Sequence, residues 1–121
     1  MGQYPVIDQG TIVKAADAAS TVKQQLAQQG LTQKEISDFI GYWGNKLTSS
    51  GKPYIRITWL DTSAMEKLAP LTVSPKPQTV IRVFLDFQGI DKPHPIKRQN
   101  LTAKPRQGFT VVEWGGYLRK F

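Results

Sequence analysis

The chain has 121 residues, 40% of them hydrophobic and 21% charged, which suits one globular domain of residues 1–121 rather than a disordered segment. It has no cysteine, which excludes disulfides, thiolate catalysis and cysteine–zinc sites. The formal net charge is +7, and its distribution is uneven. Residues 1–50 carry four basic and four acidic side chains, while residues 51–121 carry twelve basic and five acidic ones. Such a one-sided excess favours salt-sensitive contact with nucleic acid, anionic lipid or anionic cell-wall polymer.

Residues 1–10 are expected to be flexible, and Thr11–Lys14 reads as an edge strand. Asp17 is placed to cap a first helix whose apolar stripe is Ala18, Ala19, Val22 and Leu26, closed by Gly30 with Leu31 folding back. Thr32-Gln33-Lys34-Glu35 is a capping box that opens a second helix. Ile36, Phe39, Ile40, Trp43 and Leu47 recur at helical spacing, the strongest periodic signal in the chain, up to Ser49-Ser50-Gly51. Two short helices with a one- or two-residue joint predict a helical hairpin.

After Lys52 the apolar period changes from 3.6 to 2. In Tyr54–Leu60, Ile55, Ile57 and Trp59 share one face, opposite Tyr54, Arg56 and Thr58. Ser63-Ala64-Met65-Glu66 reads as a second capping box for a short helix through Leu68, and Pro70, Pro75 and Pro77 predict extended chain after it. Thr79–Gln88 is the clearest strand, with Ile81, Val83, Leu85 and Phe87 opposite Val80, Arg82, Phe84, Asp86 and Gln88, and Gly89 is expected to end it. Residues 90–107 read as a long polar loop or an extended crossing. Phe109–Trp114 reads as a last strand ended by Gly115-Gly116, with 117–121 a frayed, flexible tail.

This order predicts an α+β fold: a helical hairpin packed on one face of a three- to four-stranded, mainly antiparallel sheet. The opposite sheet face is mixed. Arg56 and Arg82 are placed to pair with Asp86 across strands, and Arg56, Arg82, Phe84, Asp86 and Glu113 are the sheet-face candidates for binding. The competing reading is a solvated face partly covered by the long loop.

No spacing of residues marks a catalytic site, a metal site or a cofactor. His94 is the single histidine and lies between two prolines, which suits a solvated loop. Asp86 with Asp91, and Glu113 beside Trp114, are the carboxylates a catalytic reading would use; an ion pair of Glu113 with Arg82 or Arg56 is the preferred reading. Lys92, Lys97, Arg98, Lys104 and Arg106 form the densest basic stretch and the polyanion-binding candidate, although no aromatic residue interleaves them as stacking on bases would require. Asn100-Leu101-Thr102 matches a glycosylation acceptor, a triplet frequent by chance.

Three stretches carry a resemblance. They are Phe39–Leu47 with its Gly41-Tyr42-Trp43-Gly44; Leu71–Pro77 running into Ile81–Phe87; and the closing Gly-Phe-Thr-Val-Val-Glu-Trp-Gly-Gly at 108–116. Over residues 30–116 the chain resembles a family of uncharacterised bacterial proteins, many exported or surface-attached. The resemblance implies an extracellular or cell-surface setting and implies no activity; the partner is left unknown, with an anionic cell-wall polymer or another surface protein as candidates. An exported form would have lost a leader, with Met1-Gly2 a scar. The expected function is a non-catalytic binding or structural module; a small basic protein binding polyanions or nucleic acid is the alternative.

Overall fold

A computed structural model describes residues 4–120. The expected flexibility of residues 1–3 and 121 falls outside them. The elements in chain order are β1 (Thr11–Lys14), a 3₁₀ turn (Ala15–Asp17), α1 (Ala18–Gln28), α2 (Gln33–Trp43), β2 (Tyr54–Leu60), α3 (Thr62–Leu68), β3 (Thr79–Ile90) and β4 (Thr110–Arg119). The strands form one sheet in the order β1-β2-β3-β4. β1/β2 and β2/β3 are antiparallel, and β3/β4 is parallel. The fold is therefore α+β with a mainly antiparallel sheet.

The switch of apolar period builds two layers. Val22 and Leu26 of α1 and Ile36, Phe39 and Trp43 of α2 are buried in one core with Ile55, Ile57, Trp59, Ile81, Val83, Leu85 and Phe87. Phe39 sits at its centre, with ring centroids 5.8 Å from Trp59 on β2 and 5.2 Å from Trp114 on β4. Trp43 meets Phe87 edge-on at 5.8 Å. Side chains as large as these each contribute about 1.5–3 kcal/mol when they leave water.

The capping box of α2 forms as the spacing predicts. Glu35 N–H donates to the Thr32 hydroxyl, and Thr32 N–H donates to the Glu35 carboxylate at 2.8 Å. Gly30, at φ +93°, takes the left-handed conformation that closes α1. Several local expectations are corrected. Asp17 does not cap α1 with its side chain; it closes a 3₁₀ turn, and its carbonyl accepts from Ser20 and Thr21 hydroxyls. α2 stops at Trp43, and Leu47 reaches the core from a run of turns. α3 is capped by Asp61, whose carboxylate accepts from Ala64 N–H, so Ser63 is already inside the helix. β3 passes through Gly89 to Ile90 because Gly89 pairs with Ile55.

The last strand is the largest correction. β4 runs straight through Gly115-Gly116, and Tyr117, Leu118 and Arg119 pair with Asp86, Phe87 and Gln88. The glycines make room for rings rather than a turn. A Cβ on Gly116 would lie 2.7 Å from the Trp43 ring, and one on Gly115 would lie 3.3 Å from Phe84 on the other face. Gly116→Ala should therefore cost about 1–3 kcal/mol by overpacking a buried ring. Gly115→Ala, which meets only a half-buried ring and lowers the entropy of the unfolded strand, should be neutral or slightly stabilising. Urea melts of the two variants check the contrast; equal losses would contradict the packing.

The parallel β3–β4 pairing needs a crossover, and residues 91–109 supply it without a helix. Polar clips hold it instead. Gly10 N–H donates to the Lys97 carbonyl at 2.9 Å. The Gln99 amide accepts from Trp59 N–H and donates to the Trp59 carbonyl, both at 2.7 Å. Trp59 lies two residues beyond the last β1 pairing, so this side chain stands in for a strand residue on the β2 edge. Arg106 donates to the Gly30 carbonyl and to Glu35, and Gln107 N–H to the Thr79 hydroxyl. The crossover thus passes the ends of α1 and α2. On the mixed face of the sheet lie α3 and the segment at Tyr4, and residues 101–105 of the crossover reach it beside Arg82 and Glu66.

Candidate binding cleft and the charged face of the sheet

Period-2 alternation carries Arg56 and Thr58 of β2, Arg82, Phe84 and Asp86 of β3, and Glu113, Tyr117 and Arg119 of β4 to the face turned from the helices. The centre of that face is not solvated, although Tyr117 at its rim is half exposed. Arg56, Arg82 and Asp86 are 4%, 3% and 0% exposed. Buried charge persists only when paired and hydrogen-bonded, and two separate networks meet that need.

Asp86 is the hub of the first. Arg56 Nη2 lies 2.7 Å from its Oδ1, and Arg56 Nη1 donates to the Asp86 carbonyl and the Thr58 hydroxyl. Arg119 Nη2 reaches Oδ2 at 3.1 Å, and the Tyr4 hydroxyl donates to the same oxygen. Burial alone would raise the Asp86 pKa, but the hydrogen bonds from Arg119, Tyr4 and Arg56 outweigh it and hold the carboxyl below its ordinary value. The Tyr4 phenol is pushed well up, first by burial and then by its bond to Asp86. The Arg119 guanidinium is raised by its bond to Asp86.

Arg82 is the hub of the second. The expected Arg82–Asp86 pair does not form. Arg82 Nε donates instead to Glu113, its register partner on β4, at 3.0 Å, and Nη1 to Glu66 of α3 at 3.3 Å. Glu113 is thus an ion-pair partner, as preferred from the sequence, but it shares its arginine with a residue that strand alternation could not bring in.

Beside the Arg82 hub lies a cleft of about 670 Å³, between α3, the first half of β3 and residues 101–105 of the crossover. Ile81, Val83 and Leu101 give it an apolar wall, and Lys67 and Lys104 line it. A second depression of about 530 Å³ shares Thr62, Glu66 and Lys104 with it and adds Lys76. The acids here are engaged, Asp61 in capping α3 and Glu66 with Arg82. Lys67, Lys76 and Lys104 have no ion-pair partner among the described residues.

The basic crossover residues are strung out rather than gathered. Lys97 and Arg98 lie beside the clip to Gly10, and Lys104 lines the cleft. Arg106 is committed to Glu35 and the Gly30 carbonyl, which holds the Glu35 carboxyl below its ordinary value. It therefore leaves the set of free cations. Lys92, Lys97, Arg98 and Lys104 are exposed. Asp91 pairs with Lys52 at 3.0 Å on the surface while Asp86 is sealed in its network, so the two form no acid–base pair. His94 is exposed, with Nδ1 3.0 Å from the Pro95 carbonyl. Among the described residues no three metal-ligating side chains cluster, and no helix is long and apolar enough to cross a membrane.

Sequence reasoning missed Tyr4, Glu66, Arg119, Lys67 and Lys76. Arg119 was within reach, because Glu113, Tyr117 and Arg119 keep the alternation beyond the glycines. Comparison with family models, curated proteins and solved structures finds no match for this chain.

Proposed function

We propose that the chain is a non-catalytic binding module of a bacterial exported or surface protein, and that it holds an anionic polymer against the α3 cleft and the crossover beside it. One observation carries the reading: Lys67 and Lys104 line the cleft, Lys76 and Lys104 line the depression beside it, and the acids around them are engaged elsewhere. Exposed Lys97 and Arg98 extend the positive track along the same crossover. The engagement of Asp86 and Glu113 in ion pairs supports a non-catalytic role. The closing motif at 108–116 and its resemblance to exported bacterial proteins support the cell-surface setting, where a phosphate-bearing wall polymer is the anion that the excess of basic residues suits.

The test is a salt titration of binding to a glycerol-phosphate polymer, with duplex DNA, single-stranded RNA and a neutral glucan as comparators. Binding to the phosphate polymer should weaken steeply with salt. The triple substitution Lys67→Ala, Lys76→Ala and Lys104→Ala should lower the slope of log affinity against log salt by about 2. Unchanged binding by the triple variant, or equal binding to the neutral glucan, would falsify the reading. Tight sequence-selective binding to DNA or RNA at physiological salt would replace it with a nucleic-acid function, which the exposed lysines of the crossover also suit.

A further inference from the structure

The two edges of the sheet are treated differently. On one side β1 has only four residues; beyond it the Gln99 amide occupies the β2 edge, and Lys97 pairs with the segment leading into β1. On the other side β4 offers ten residues with no proline and no lysine, paired only to β3. The Phe109 carbonyl accepts from Thr79 N–H, so strand alternation turns the odd-numbered residues toward β3. Val112, Trp114, Gly116 and Leu118 then point their N–H and C=O groups outward, where none has a partner among the described residues. Natural sheets seldom leave so long an edge open unless something pairs with it. Exposed aromatics gather beside it: Tyr117 on the strand, Phe109 just before it, Tyr42 6.1 Å from the Trp114 ring and Tyr4 against Tyr117.

We propose that β4 is a dimer interface, pairing antiparallel with β4 of a second copy to continue the sheet across a two-fold axis. The strand is self-complementary in the register centred on Gly116. Gly116 then faces its own copy and Trp114 faces Leu118, both as hydrogen-bonded pairs, giving about six backbone bonds. The closer, non-hydrogen-bonded pairs are Glu113 with Arg119 and Gly115 with Tyr117. Opposite charges thus meet twice, and a tyrosine covers each Gly115, pairings that favour a second copy over an unrelated strand. The helix layer allows this approach. Phe39 reaches β2 and β4 at once, which sets α2 over β3, one strand in from the edge. The two α2 helices would stand about 14 Å apart, three strand spacings, with the two exposed Tyr42 rings between them.

Sedimentation velocity of the full chain from micromolar to millimolar concentration should show a monomer–dimer equilibrium. Amide exchange of Trp114, Gly116 and Leu118 should slow as the dimer forms. Tyr117→Lys and Tyr42→Lys, both at half-exposed positions, should weaken association at least tenfold with far-UV circular dichroism unchanged. A monomer throughout, or a dimer in which those three amides exchange at the monomer rate, overturns the proposal. So does protection gained only on adding an extended apolar peptide, which would assign the edge to strand addition by another chain. The amide measurement needs no variant, so a substitution that fails to fold leaves the test intact.

Discussion

Asp86→Asn is expected to lower the melting temperature by about 10–20 °C, from a loss of about 3–5 kcal/mol. The carboxylate is fully buried and satisfies two guanidiniums and a phenol at once. An amide keeps the shape but removes the charge, leaving Arg56, with 5% of its side chain exposed, as a buried cation without a counterion. That uncompensated charge dominates the cost, so Asp86→Asn combined with Arg56→Leu should recover part of the loss. The pH dependence has a definite sign. Asp86 and Glu35 both titrate below their ordinary values in the folded chain, so each stabilises the fold above its unfolded pKa and ceases to as pH falls through its folded one. Stability should drop on acidification below about pH 4, and Asp86→Asn should flatten that drop. Thermal melts from pH 2 to 7 measure both effects, and a shift under 2–3 °C at pH 7 would show that the network is ornamental.

Phe39→Ala should cost a similar amount, about 3–5 kcal/mol. Phe39 is fully buried, and its ring lies within 6.4 Å of the Trp43, Trp59 and Trp114 rings, which are all the tryptophans in the chain. It joins the helix layer to β2 and β4 together, so its loss opens a cavity that neither layer can close alone. The emission maximum should move to the red in the native baseline, and the urea midpoint should fall with little change in slope. A loss below 1 kcal/mol would mean that the helices are not held to the sheet through this residue.

The elements that rest on periodicity were legible in the sequence. The stripe Ile36–Phe39–Trp43 and the alternation Ile55–Ile57–Trp59 each declare a buried face, and one face requires the other. Elements whose ends depend on partners were not. Gly89 and Gly115-Gly116 resemble strand ends because glycine is a poor strand former, yet all three lie within strands where rings or neighbouring chain crowd the Cβ position. The α3 cap slipped by two residues because Asp61 and Ser63 offer equally good local chemistry, and only the tertiary position of β2 chooses between them. The cleft was illegible for a related reason. Lys104 is far along the chain from Lys67 and Lys76, and the crossover that brings it to α3 carries no periodic pattern.

Tyr4 and Arg119 meet on Asp86, and the Tyr4 and Tyr117 rings are 6.5 Å apart. The first and last described segments therefore meet at a single corner. That corner lies about 13 Å along β3 from Arg82, four residues at about 3.3 Å each. One buried carboxylate thus fastens both segments, and a change that loosens it should release the two together.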